Sequence, residues 1–447
     1  MNVAVMKTKV ETTLTEAFDQ VSGQLPGGSD VAARRQEALG KFAAVGLPHR
    51  RIEEWKYTDL RNIMKDVQPA AIGDETKVTI ADVIVALGAV GRIDAAPRFV
   101  MVNGRYRKEL SNLAGLDAIS VTPLSDALTS ADGGPAFIMG GDDRGSNALL
   151  ALNAAYVTDG AIVDVAAGAK LQAPLLIVHV RSGNEAKLAT ARNIIRVGDG
   201  AELTIAEIFV MVPGSTKAGQ TNSVSEITVG EGARVGHVKM TSDAGAVSHL
   251  ANWIVTLGKD STYRGFQYTA GVGLARNQIR ATFAGEGAKL DLSGAFLARH
   301  GEHVDTTLTV DHAVGHGESR ELFKGVLDHH ARGIFQGKVI VRPDAQKTDG
   351  KQMAQAMMLS EDAEFDSKPE LEIYADDVVC GHGSTSAAID EDLLFYLRAR
   401  GIPLGEARAL LIQSFIGEAI DKVEHDELRD ALMSEALTWL ANSSAGS

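Results

Sequence analysis

The chain has 447 residues, of which 45% are hydrophobic and only 5% aromatic, so it is long enough for a large aliphatic core and for two or three structural units. Its 58 acidic residues outnumber 44 lysines and arginines, and the resulting net charge of -14 argues against general affinity for nucleic acid or an anionic membrane. Because Cys380 is the only cysteine, one copy can build neither a disulfide nor a four-cysteine metal site.

The first residues carry no signal for export. The stretch MNVAVMKTKVETTLTEAFDQ lacks the apolar run of a secretory signal peptide. No segment reaches the roughly 18 consecutive apolar residues of a membrane-spanning helix. We therefore expect a soluble, cytoplasmic protein.

Residues 1–150 are predicted to form an N-terminal domain of helical and mixed structure. Helical patterns cover residues 14–25 and 31–48, and Pro48 ends the second one. A strand candidate, RFVMVNGRY, contains the Asn-Gly pair typical of a hairpin at residues 103–104. Glycine-rich turns at 133–145 suggest the end of this domain.

The segment RRIEEWKYTDL places two large aromatic residues, Trp55 and Tyr57, among charged residues. The preferred interpretation is that these rings anchor the N-terminal helices onto the core. A recognition surface is the alternative.

Residues 151–385 are predicted to form a parallel β-helix. Short aliphatic strands alternate with small polar turns, and Gly-Ala or a related pair begins at residues 168, 200, 232, 260 and 287, at spacings of 32, 32, 28 and 27. A repeat of this length is typical of a solenoid and favours a broad right-handed coil. A β-sandwich remains an alternative, whereas a hexapeptide-repeat acyltransferase is disfavoured because no six-residue repeat occurs.

Residues 386–447 are predicted to form a helical C-terminal domain. Asp390 is a suitable N-cap for the helix EDLLFYLRAR, on which three leucines, 393, 394 and 397, are expected to share one face. Apolar positions 412, 416, 420 and 423 define the buried side of a second helix. A small unit after a solenoid either caps its end or binds a partner.

The usual nucleotide and hydrolase motifs are missing. No glycine-lysine pair has the upstream glycine and following hydroxyl residue of a phosphate-binding loop, so the chain is not expected to hydrolyse ATP itself. The zinc protease motif H-E-x-x-H and the nucleophile elbow G-x-S-x-G are also missing.

Six of the 12 histidines crowd between residues 300 and 330. One interpretation is a metal site, since imidazole binds iron, zinc and copper. The preferred interpretation is separate solvated or hydrogen-bonded side chains, because an odd spacing in a strand points side chains to opposite faces. The six are His300, His303, His312, His316, His329 and His330.

A more specific indication of a functional site is the motif VVCGHGST at residues 378–385. In an extended segment Cys380 and His382 project from the same face, roughly 6.5 Å apart along the backbone. Gly381 and Gly383 leave this backbone open to a ligand or second chain. From the residues alone, the preferred interpretation of a lone cysteine is a small buried hydrophobe, and a ligand is the alternative. Since two ligands underfill a tetrahedral metal site, any metal bound here is expected at an interface with another molecule.

Three segments together resemble the SufB/SufD family, the scaffold subunits of the SUF iron-sulfur cluster assembly machinery, and within it the SufD members. They are RRIEEWKYTDL, FKGVLDHHARGIFQGKVIVRPDAQKTDGKQ and PELEIYADDVVCGHGSTSAAIDEDLLFYLRARGI. The resemblance covers nearly the whole chain and implies a right-handed parallel β-helix between helical domains. It implies a non-catalytic subunit that pairs with a SufB-like paralogue through the β-helix. It also implies that a SufC-like ABC-type ATPase docks at about residues 385–430.

The resemblance also implies a site. It assigns His382 first, and Cys380 second, as metal ligands of a transient iron-sulfur cluster shared with the partner, with no cluster held tightly by this chain alone. The single cysteine separates the chain from SufB-like chains, which carry more. Reduced flavin has been associated with such complexes, but the sequence has no dinucleotide-binding fingerprint, so a flavin remains speculative. The isolated chain could also pair with itself.

A β-helix enzyme acting on polysaccharide is the alternative function. Such an enzyme would use carboxylates on the long face of the solenoid, for which Asp305, Asp311 and Glu318 are candidates. No spacing supports them, and the net charge disfavours an acidic saccharide.

Overall fold

The computed structural model describes residues 7–73, 76–93, 96–130, 147–216, 218–243 and 245–444. Within them the chain is mainly β, with a parallel β-solenoid between helices at both ends, which confirms the predicted fold class. The sandwich alternative is wrong, because the strands of the solenoid pair in parallel. Among the described residues, no helix is both long and apolar enough to cross a membrane.

Helices occupy the two ends of the chain. The N-terminal ones are α1 (Lys9–Val21), α2 (Ser29–Val45), α3 (Leu60–Ile63), α4 (Ile80–Leu87), α5 (Leu124–Thr129) and α6 (Ala148–Tyr156). The C-terminal ones are α7 (Glu391–Ala399), α8 (Leu404–Ile420) and α9 (Asp426–Ser444). Thr8 closes a capping box at the start of α1, and the Asp390 side chain caps α7 as predicted.

Two long sheets form the walls of the solenoid. One contains β1 (Arg98–Val102), β2 (Arg105–Tyr106), β5 (Leu175–Arg181), β7 (Glu202–Met211), β9 (Arg234–Ser242), β11 (Thr262–Ala270), β13 (Lys289–Ala298), β15 (Glu318–Leu327), β17 (Asp349–Met358) and β19 (Val379–Ala388). The other contains β3 (Ile119–Pro123), β4 (Ala161–Val165), β6 (Leu188–Val197), β8 (Ala218–Val229), β10 (Gly245–Leu257), β12 (Val272–Phe283), β14 (His303–His312), β16 (Arg332–Val341) and β18 (Glu364–Ile373).

Each coil of the solenoid contributes one strand to each sheet, so strands two apart in the chain are neighbours. The recurring turn pair predicted from the sequence marks the point before β7, β9, β11 and β13, and the same point one coil earlier at Gly168, where the backbone takes a positive φ. The same point in the next two coils is held by His316 and Lys347, which is why the glycine repeat fades there. The φ values are +70° at Gly168, +65° at Gly200, +66° at Gly232, +52° at Asp260, +72° at Gly287, +61° at His316 and +63° at Lys347.

Aliphatic side chains alternate along the strands and fill the space between the two sheets. The outer faces are covered by helices: α1, α2 and α6 pack on the nine-stranded sheet, whereas α8 and α9 pack on the ten-stranded sheet. The predicted buried side of α8 is confirmed, since Ile412, Ile416 and Ile420 are at most 4% exposed. In α7 the prediction is wrong for Leu393, which is 51% exposed while Leu394 is buried.

The solenoid ends in two open strand edges. β18 and β19 are the last strands of their sheets, and each has one paired neighbour, β16 and β17 respectively. The glycine-rich turns at 133–145 lie outside the described residues, and the domain boundaries at 150 and 385 stay predictions. α7 begins three residues after β19 ends.

Candidate functional site

Cys380 and His382 lie on the open edge strand β19. Their partners on β17 are Gly350 and Gln352, which face the interior of the solenoid and are buried. Because strands in parallel register present paired residues to the same face, both site residues point toward the inner side. The predicted common face is therefore confirmed. Cys380 is half-buried and His382 is exposed.

A glycine opens the space beside the thiol. A Cβ at Gly350 would lie 3.6 Å from Cys380 Sγ and 3.4 Å from Ser319 Oγ, so the bare glycine separates these two groups without filling the gap. Burial raises the pKa of the Cys380 thiol, and Asp349 and Glu321 add to this rise, whereas the Gly350 N–H lowers it. The free chain therefore keeps a protonated thiol at neutral pH, which a metal must displace to bind.

A groove of about 590 Å³ runs beside β19. Leu322 and Met353 supply its apolar lining, together with the bare backbone of Gly381 and Gly383. A Cβ at Gly383 would come within 2.7 Å of the Met353 methyl group, so a larger residue there would displace the end of that side chain. The rim carries three cations, Arg320, Lys351 and Lys422. Cys380 and His382 line the same groove.

Two residues of this site were missed by the sequence reasoning. Glu321 and Gln352 also line the groove, and each is only 3% exposed. The residues Glu321, Gln352 and His382 are 31 and 30 positions apart, close to the length of one coil. Extending the turn repeat past residue 288 would have found them.

Burial raises the pKa of Glu321 to about 8, and nearby Ser319 offsets only part of that rise. Among the described residues, neither of its carboxylate oxygens has a hydrogen-bond partner of good geometry, and the same is true of both polar atoms of Gln352. Behind Cys380 and His382 the inner face thus carries two polar side chains, Glu321 and Gln352, which are uncharged at neutral pH and have free hydrogen-bonding capacity.

Among the described residues, no three histidine, cysteine, aspartate or glutamate side chains converge in a way that could hold a metal ion. Cys380 and His382 offer one sulfur and one nitrogen ligand, whereas a whole iron-sulfur cluster is held by four protein ligands. The site can therefore hold metal firmly only with ligands from elsewhere.

The crowded histidines are placed by the solenoid rather than by a common ligand. His300, His316 and His329 occupy turn positions with positive φ, a conformation that histidine adopts more readily than most residues. His300 and His329 stack across adjacent coils, with ring centroids 4.7 Å apart. His312 is buried against Phe283. His303 contacts Thr58 at 2.9 Å, and His330 is exposed.

The three carboxylates considered for a polysaccharide-active enzyme do not form a site. Asp305 is fully buried and ion-paired with Arg276. Asp311 pairs with Arg342, and Glu318 lies on the opposite sheet.

The segment around Trp55 anchors the N-terminal region, as the preferred interpretation held. Trp55 is 4% exposed and stacks on the guanidinium of Arg276, 4.3 Å from the ring centroid. Arg276 also donates to the Glu54 carbonyl, and Thr58 donates to Asp305. A loop from the N-terminal region thus covers a buried ion pair of the solenoid.

The fold and the site together define a class of protein: a two-sheet parallel β-solenoid with helical ends, which presents a thiol and an imidazole on an open edge strand. Comparison with known proteins makes the class specific. Residues 179–415 match the SUF system FeS cluster assembly SufBD core domain, and residues 8–177 match the SufBD protein N-terminal region. The chain belongs to the SufBD family of iron-sulfur cluster assembly proteins.

Full-length relatives agree with this assignment. The chain is 31% identical over 436 residues to the iron-sulfur cluster assembly SufBD family protein slr0076 of Synechocystis, covering 96% of this chain and 95% of the relative. It is 28% identical over 410 residues to the iron-sulfur cluster assembly protein SufD of Escherichia coli, covering 91% and 92%. It is 26% identical over 438 residues to the chloroplastic protein ABCI7 of Arabidopsis thaliana, covering 93% and 88%.

Proposed function

We propose that this chain is a non-catalytic scaffold subunit that helps to hold a nascent iron-sulfur cluster at the interface with a SufB-like paralogue. The observation that carries the proposal is the pairing of Cys380 and His382 on one face of an open edge strand. Two ligands of the kind that iron-sulfur clusters use are offered here, and the set is incomplete. The partner subunit completes it.

The free end of the solenoid supports this pairing. β18 and β19 leave one edge each without a strand neighbour, and unpaired edges of this kind readily add another strand. Exposed apolar side chains surround the same end. Ile373, Tyr374 and Val379 are 43%, 59% and 61% exposed. In the absence of a paralogue, a second copy of the chain occupies the same edge.

The C-terminal helices provide the docking surface for a SufC-like ABC-type ATPase, at about residues 385–430. α7 exposes Leu393, Phe395 and Tyr396, of which Phe395 is 74% exposed. Only Ile389 and Asp390 separate α7 from β19. When ATP draws two docked ATPase subunits together, the movement therefore reaches the strand that carries Cys380 and His382 through a short connection.

Co-expression with the SufB-like and SufC-like proteins of the same organism tests the proposal. We expect the three proteins to co-purify and the complex to contain iron and sulfide. His382→Ala should lower both contents several-fold while leaving the fold intact, because an exposed side chain contributes little packing.

His330→Ala is the matched control, since His330 is also exposed but lies on a turn of an earlier coil. Equal iron and sulfide in the His382 variant and the wild type would contradict the proposed site. Failure of the three proteins to associate would contradict the proposed scaffold role.

A further inference from the structure

Three polar side chains lie side by side across the last three strands of the ten-stranded sheet. The parallel register pairs Glu321 with Gln352, and Gln352 with His382. Adjacent strands are about 4.8 Å apart, so the three residues form a column on the inner face. We refer to Glu321, Gln352 and His382 as the polar column.

The two buried members of the polar column have unused hydrogen-bonding capacity. Both polar atoms of Gln352 and both oxygens of Glu321 lack a partner of good geometry, although each residue is only 3% exposed. Leaving a buried polar group unpaired destabilises the fold. Packing alone would favour apolar residues at these two positions.

The amide of Gln352 lies against the opposite sheet. A Cβ at Gly337, on the opposite sheet, would lie 2.2 Å from Gln352 Oε1 and 2.3 Å from Nε2. The side chain therefore rests on the bare backbone of β16, with its head group between the sheets. Gln352 is buried, and its amide has both a donor and an acceptor to offer.

The polar column is not a metal site in itself, because no three candidate ligands converge among the described residues. An amide beside an imidazole is instead suited to orienting the imidazole ring through a hydrogen bond. A metal-binding histidine is commonly oriented by a hydrogen bond from its second ring nitrogen to a neighbouring acceptor. Glu321, kept uncharged by burial, can in turn accept a hydrogen bond from the Gln352 amide.

We propose that Gln352, backed by Glu321, is a positioning residue for His382. The Gln352 amide oxygen accepts the N–H of the imidazole, and the other ring nitrogen is left free for iron. In the free chain this hydrogen bond is open, and it forms when metal orders the exposed imidazole. The inference rests on the proposed role of His382 as a ligand.

Cobalt binding to the full-length chain tests this role without requiring cluster assembly. The thiolate-to-cobalt absorption band reports Cys380 alone, because the chain has no other cysteine. We expect Gln352→Leu to raise the dissociation constant of Co²⁺ about 10- to 100-fold, the usual effect of losing such a hydrogen bond. Gln352→Glu, which keeps an acceptor, should restore most of the affinity. Gln355→Leu, on the outer face of the same strand, should leave it unchanged.

Unfolding of the same variants separates positioning from a structural role. Because Gln352→Leu removes an unpaired buried amide, its midpoint in denaturant should equal or exceed that of the wild type. A lower midpoint, with equal loss of cobalt affinity in the leucine and glutamate variants, would show that Gln352 is structural and overturn the inference.

His382→Ala shows which of the two proposals fails. If it weakens cobalt binding and Gln352→Leu does not, the positioning role is wrong and the proposed site stands. If the wild-type chain gives no thiolate-to-cobalt band even at a large excess of Co²⁺, where two protein ligands suffice for weak binding, both the site and the positioning role are wrong.

Discussion

Glu321 is a carboxyl group buried between the sheets with no cation paired to it. Its pKa rises to about 8 because the interior disfavours the charged form. The folded state therefore holds a proton that the unfolded chain, with a pKa near 4.5, has already released at neutral pH. The stability that this group lends to the fold is full below pH 4.5 and is lost progressively as the pH rises toward 8.

We expect the free energy of unfolding of the wild type to fall by on the order of 3 kcal/mol more than that of Glu321→Gln between pH 5 and pH 8. The comparison removes the contribution of all other titrating groups. Denaturant unfolding at several pH values measures it. Parallel pH profiles for the two proteins would contradict the buried, uncharged state of Glu321.

At the scale of elements, the segment around Trp55 is a brace: it connects the N-terminal helices to β12, which carries Arg276, and to β14, which carries Asp305. Arg276 and Asp305 are both fully buried and form an ion pair, and the segment adds the Glu54 carbonyl and the Thr58 hydroxyl as further partners. Burying an ion pair is costly, but removing one partner is costlier because the other is left uncompensated. The brace and the ion pair thus depend on each other.

Arg276→Ala should cost about 3–5 kcal/mol in unfolding free energy, because Asp305 is left buried and unpaired. Arg280→Ala is the matched control: Arg280 lies four residues along the same strand, is partly exposed and pairs with Glu54 at 3.6 Å, so its loss should cost less than about 1 kcal/mol. The double variant Arg276→Met, Asp305→Leu should recover most of the loss. Similar destabilisation by both arginine substitutions would refute the account.

At the scale of the whole molecule, the two ends of the solenoid differ in how they are closed. The first coil is covered by β1, β2, β3 and the N-terminal helices, whereas the last coil is open at β18 and β19. Stacked coils bury their faces only against neighbours, so the last coil leaves its outer edge available to a partner. The site and the proposed ATPase surface both lie at this open end.

Charge placed on α7 tests the docking surface. Phe395→Glu should release the ATPase in co-purification while the thermal transition of the free chain stays unchanged, because that ring is 74% exposed. Val85→Glu places the same charge on a similarly exposed residue of α4 and should leave ATPase binding intact. ATPase retained by the Phe395 variant would show that docking occurs elsewhere.

Several features could be predicted from residues near one another in the chain. The coil period followed from the Gly-Ala turns, since only a few residue types accept a positive φ, and the common face of Cys380 and His382 followed from strand alternation. The last two coils were harder to recognise, because His316 and Lys347 occupy the turn position where earlier coils mostly have glycine. Spacing alone could not show that three of the crowded histidines, His300, His316 and His329, occupy turn positions with positive φ.

The sequence by itself determined the β-solenoid, the helical ends, the family and the placement of Cys380 and His382 on one face of a strand, because each depends on local periodicity or a contiguous motif. Only the tertiary structure decided that β19 is an open edge, that Trp55 covers Arg276, and that Glu321 and Gln352 stand behind His382. These relations join residues from about 30 to over 200 positions apart. They arise from the register of stacked coils and from burial, which no short stretch of sequence specifies.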